Sequence, residues 1–90
     1  AKEIKVEATN WPDYVFQENY LLTPLPQIKN YIKTNGHLPE IPSAKEVDDN
    51  GVLLGEMNKL LLKKIEELTL HVIQLEERIS EMEKDIRIIN

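Results

Sequence analysis

The stretch "IEELTLHVIQLEERI", Ile65–Ile79, places an apolar residue at every third or fourth position and charges at most of the others. That period is one face of an α-helix. A lone helix would leave the stripe in water, so the reading turns on what covers it: the rest of the chain, another copy, or a different partner. The pattern runs on in both directions. From Val52 to Asn90 there is no proline, and after Gly55 no glycine. Some 35 helical residues at about 1.5 Å each predict a rod of roughly 50 Å. That exceeds the diameter of a head built from the first fifty residues, so the head cannot cover the whole rod.

The rod fits a heptad register. Leu54, Leu61, Leu68, Leu75, Met82 and Ile89 fall at d, and Asn58, Ile65, Val72, Ile79 and Ile86 at a. All but Asn58 are apolar, the signature of a coiled-coil seam. Self-association buries such a seam most economically; a cover supplied by a larger domain is the bland alternative. In a parallel pair, each g residue meets the e residue five positions on in its neighbour. That matches Arg78 with Glu83, His71 (if protonated) with Glu76, and Lys64 with Thr69, with no repulsive pair. The expected arrangement is therefore parallel and in register. β-Branched residues at a with leucine at d lean towards two strands. Apolar Met57 and Leu62 at g and e suit the wider interface of three. "RISEME", Arg78–Glu83, resembles the Arg-hydrophobic-x-x-hydrophobic-Glu signature of three-stranded coils, with Met82 where Ile, Leu or Val is usual. There Arg78 would bond Glu83 of the next chain. A parallel homotrimer is expected, with a dimer as runner-up, and Asn58 selecting register.

Outward from the rod, the chain divides into three. Residues 1–10 hold "KEIKVEA", whose alternation predicts a strand with Ile4, Val6 and Ala8 on one face. It needs a ladder partner in a neighbouring chain or an upstream domain, and the abrupt opening fits a piece of something longer. Residues 11–51 form the head. "NWPDYVFQENYLL" supplies the aromatic anchors Trp11, Tyr14 and Phe16. "TPLPQIKNYIKTNG" predicts a helix over about 24–35, capped by Thr23 and stopped by Gly36, with Leu25, Ile28, Tyr31 and Ile32 on its apolar face. "HLPEIPS" follows an extended path anchored by Leu38 and Ile41, and the capping box "SAKE" starts a short helix over about 44–49. Residues 52–90 are the long helix. Leu53, Met57, Leu60 and Leu62 widen its apolar face near the start, where the head should dock. Leu70 and Ile73, also off the seam, mark how far that contact reaches. The expected fold is mostly α: a small α-rich head with a short N-terminal strand, then a long helix forming a parallel homotrimeric coiled coil.

Composition narrows the function. The 90 residues are 30 % charged and 6 % aromatic, thin for a globular core and ordinary for a rod. A net charge of −5 with mixed signs argues against nucleic acid. No apolar run is long enough to insert in a membrane. The chain has no cysteine, which excludes disulfides and cysteine-ligated zinc. His37 and Ser43, with Lys45 or Asp48, form no recognisable nucleophile–base set, because the capping box explains Ser43 and a turn explains His37. His71 at g is expected to flank the seam, not to bind a metal at the axis. No catalytic residue, cofactor or metal is expected, and the protein reads as a non-enzyme.

Three ordered segments, "WPDYVF", "NGHLPEIPSAKEV" and "GEMNKLLLKKIEELTL", resemble the C-terminal region of tail-fibre-like and surface proteins of Bacteroidetes and their phages. The resemblance spans roughly Ile4 to Leu75. It implies a C-terminal trimerising cap on a long fibrous or repeat-built protein, whose partners are its own copies and the upstream fibre or repeat domains of the same chain. The layout is more distantly similar to the intramolecular chaperones of phage tailspikes, many of which cleave themselves off. Their Ser-Asp pair followed by basic residues is missing here. The expected function is assembly of a structural protein on a cell surface or on a phage or injection particle. The alternatives are a module at a fibre tip binding a receptor, glycan or secretion partner, and a self-cleaving chaperone.

Overall fold

The computed structural model describes Glu3, Lys5 and residues 9–89, with side chains through Arg87. The chain is mostly helical: a 3₁₀ helix, Pro12–Phe16, then α1 (Leu25–Asn35), α2 (Ala44–Asn50) and α3 (Leu54–Ile89). The strand expected over residues 2–8 lies outside the described residues, apart from Glu3 and Lys5. α3 has 36 residues, about 54 Å of rise at 1.5 Å per residue, and it sets the long dimension of a 58 × 32 × 30 Å molecule.

The short head elements follow from local chemistry. α1 begins one residue later than its proline pattern suggested. Pro24, not Thr23, occupies the N-cap, with φ −61° and ψ 144°, and no side chain caps this end. The Thr23 hydroxyl therefore stands one residue too early to reach the free N–H groups. Instead, Gln27 and Ile28 donate to the Pro24 carbonyl at 3.0 and 3.2 Å. Pro26 fits the first turn, where its missing N–H costs nothing. At the far end Gly36 adopts φ +77° and donates to Ile32 O at 2.7 Å, a left-handed cap that favours glycine. α2 carries the expected capping box, with the Glu46 N–H donating to Ser43 Oγ and the Ser43 N–H to Glu46 Oε1, both at 3.2 Å.

Between α1 and α2 the chain reverses at Leu38–Ile41. The Ile41 N–H donates to Leu38 O at 3.2 Å, Pro39 is the second residue, and Glu40 is the third with φ +70°. That is the pattern of a type II turn, in which the third position favours glycine. Placing a glutamate there costs of order 1–3 kcal/mol of backbone strain.

The 3₁₀ helix supplies the buried core. Pro12 and Val15, three residues apart, share one side of a helix with three residues per turn, and both are buried. The flanking aromatics consequently point elsewhere. Of the aromatics expected as head anchors, Trp11 and Phe16 are about half exposed and Tyr14 is 37 % exposed, so none of the three is fully buried. The closest packing onto α3 comes from this 3₁₀ helix. Among the described residues, Val15 and Pro12 are the fully buried apolar side chains, a slender core.

Candidate self-association surface

α3 divides lengthwise into two faces. On one, every described apolar residue of the a and d rows is exposed, from Leu54, Leu61, Ile65, Leu68 and Val72 through Leu75, Ile79, Met82 and Ile86, at 41–62 %. Asn58 is exposed beside them. Ile89 ends the helix, and its side chain lies outside the described residues. On the opposite face, the b, c, f and g rows, lie Lys59, Leu60, Lys63, Lys64, Glu66, Glu67, Leu70 and His71, all partly or fully covered. The head covers the back of the stripe and leaves the stripe itself open.

Polar contacts hold the head there alongside the apolar packing of the 3₁₀ helix. Leu53 is 78 % exposed, while Met57, Leu60 and Leu62 are half-buried. Glu40 receives Lys63 Nζ on one carboxylate oxygen at 2.7 Å and Lys64 Nζ on the other at 2.9 Å. Burial alone would raise the Glu40 carboxyl, but the two lysine bonds outweigh it and hold it below the ordinary value. This latch offsets the strain of the turn that carries it. Lys64 also reaches Glu67 at 3.1 Å. Tyr20 Oη donates to Glu67 Oε2 at 2.6 Å, and burial together with that bond raises the phenol. Lys59 donates to the Thr9 carbonyl at 2.8 Å. The Tyr14 ring lies 5.9 Å from Lys63 Nζ and 6.0 Å from the Tyr20 ring.

Two covered groups sit less comfortably. Glu66 is 6 % exposed, and its Oε1 has no partner among the described residues; burial first, then the nearby charge of Asp13, raises its carboxyl above the ordinary value. His71 is equally buried, with Nε2 unpartnered among the described residues. It is expected to flank the seam, and the head, whose contact reaches Leu70 and His71 but not Ile73, covers it. The pairing of His71 with a neighbour's Glu76 loses its footing, whereas Arg78 and Glu83, beyond the head, are both exposed.

Of the remaining head anchors, Ile28 and Ile41 are half-buried, while Ile32 and Leu38 are each 42 % exposed. The reason is that α1 does not pack directly on α3. An open groove of about 490 Å³ separates them, walled by Leu25, Ile28 and Leu38 on one side and by Leu61, Ile65 and Leu68 of the stripe on the other.

No known family, curated protein or solved structure matches this chain. The surface must therefore be read on its chemistry alone. The Ser43 hydroxyl is engaged in its cap, and the His37 ring packs edge-on against Tyr31 at 5.6 Å with Nδ1 2.9 Å from Leu38 O. Among the described residues, no three His, Cys, Asp or Glu side chains gather as metal ligands, and no helix is long and apolar enough to cross a membrane. What the geometry offers is an apolar stripe with its back protected.

Proposed function

We propose that the protein is a non-enzymatic assembly module that joins three copies in parallel along the a and d rows of α3 and sets the register of a fibrous or surface protein at its C-terminal end. One observation carries this reading: the head covers the b, c and f rows and, on one flank, Lys64 and His71 of the g row, and leaves the a and d rows exposed. Completing the burial of nine half-exposed side chains contributes on the order of 10 kcal/mol per chain. That is comparable with the estimated cost, roughly 4–15 kcal/mol, of lost translational and rotational freedom.

The choice of three strands is supported by the half-buried apolar Leu62 and Met57 beside the seam and by Arg78 and Glu83, exposed where an interchain bond between them forms in a trimer. Closing the seam aligns the three N-termini, so residues 2–8 are where register passes to an upstream strand. An extracellular or particle-borne setting is proposed on the resemblance of the three sequence segments alone.

The test is mass in solution by light scattering over a range of micromolar concentrations. The expected value is three times the 10.5 kDa of the single chain. A dimer would overturn the strand number, and a monomer the whole reading. A second reading, a binding module at a fibre tip, is favoured by the half-exposed Trp11 and Phe16. Glycan or lysate capture that is lost in Trp11→Ala but retains the oligomer would support it.

A further inference from the structure

We infer that the groove between α1 and α3 is the second half of the subunit interface, and that it receives the e and b flank of the neighbouring copy's α3, at Leu62, Thr69 and Ile73. This rests on the parallel assembly proposed above and adds the head to it.

The groove is continuous with the stripe. One wall is Leu61, Ile65 and Leu68, the same side chains that face the axis; the other is Leu25 and Ile28 of α1 with Leu38 of the turn. A helix that covers the stripe must therefore pass the mouth of the groove. The groove opens on the d and g side of α3, since Lys64 and His71 also line it. In a parallel, in-register pair the g side of one helix adjoins the e side of the next. The occupant is then set by sequence: the e residues at the height of the groove, with Ile73 of the b row just beyond the part that its own head covers.

Those residues suit an apolar slot. Gly55, Leu62 and Thr69 make the e row uncharged at this level, and charge returns only at Glu76 and Glu83. The Thr69 hydroxyl already donates to Ile65 O of its own helix at 2.8 Å, so covering it leaves no orphaned donor. Ile73, an isoleucine on the b row, is 47 % exposed and has no role within its own chain's core. On the receiving side, the charge of Lys64 is drawn back to Glu40 and Glu67, leaving its aliphatic stem beside the groove. The groove also explains why α1 carries an apolar face that its own chain does not cover.

The absence of cysteine allows a direct test. Two single-cysteine full chains are co-produced, one with Leu25→Cys and one with Thr69→Cys on a tag of different size, then oxidised in a glutathione buffer. The control pairs Leu25→Cys with Gln74→Cys, at similar height but on the opposite flank. The mixed-chain disulfide is expected to form with Thr69→Cys in roughly tenfold or greater excess over Gln74→Cys, because proximity raises the effective concentration. Equal yields from chains that remain oligomeric by light scattering would overturn the groove and leave the seam reading standing. Monomeric chains would overturn both. As a second measurement, Leu25→Glu should dissociate the oligomer at a concentration about tenfold or more higher. Leu21→Glu, at a residue 91 % exposed and away from the groove, should not. Identical behaviour of the two would count against the inference.

Discussion

At the scale of single residues, Glu40 and Glu66 hold opposite relations to the fold, and pH separates them. The Glu40 carboxyl is lowered by two lysines. Its contribution is complete above the ordinary carboxylate value and is lost as pH falls through the lowered one. Glu66 is raised by burial and Asp13. Its charge is a penalty above the raised value, and the penalty vanishes below the ordinary one. Glu40→Gln should therefore lower stability at neutral pH, by about 1 kcal/mol once the exposure of the carboxylate is allowed for. Glu66→Gln should instead raise the Tm by a few degrees. Both differences from the natural chain should shrink on acidification towards pH 3. Urea midpoints or Tm values taken across pH check this, and differences of the same sign would refute the assignment. Glu40 carries no mark in the sequence, because its partners stand 23 and 24 positions away.

At the scale of elements, the 3₁₀ helix is what fastens the head to α3. Val15 is its fully buried apolar side chain. Val15→Ala removes two methyl groups from a site with little else to fill it, at a cost of roughly 2 kcal/mol. Because the seam lies on the other face of α3, this change should loosen the head while the distal part of α3 stays helical. The expected result is an earlier transition followed by Trp11 fluorescence, with the circular dichroism of α3 less affected. Coincident, unshifted transitions would show that the polar latch suffices without Val15. The helices themselves were largely legible: α2 from its capping box and Gly51, α1 from its prolines and Gly36, α3 from its heptads. The docking element was not, since "WPDYVF" shows its aromatics first. A period of three, which selects Pro12 and Val15, becomes visible only once the segment is known to be 3₁₀.

At the scale of the whole molecule, the described part of a long helix with a small head on its back buries little apolar surface, and the assembly proposed above would supply the rest. Folding and association should then be one equilibrium, as in obligate oligomers. The Tm measured by circular dichroism should rise with chain concentration, and a Tm unchanged over a hundredfold range would mean that a single copy is sufficient. Lys63, Lys64, Glu66 and Glu67 look like the solvated face of a rod, and along most coiled coils such residues are. Here they are the docking face, because the head brings its own charges and hydroxyls in Glu40 and Tyr20.

The sequence alone determined the period of α3, the stops and caps of the head helices, and the row of apolar residues that calls for a partner. These are local properties, written in residues within one or two turns of each other. Which face the head would cover was decided only in three dimensions. That choice rests on contacts between residues 23 to 50 positions apart: Glu40 with Lys63 and Lys64, Tyr20 with Glu67, Thr9 with Lys59. By placing its polar groups on the back of α3, the head leaves the a and d rows exposed.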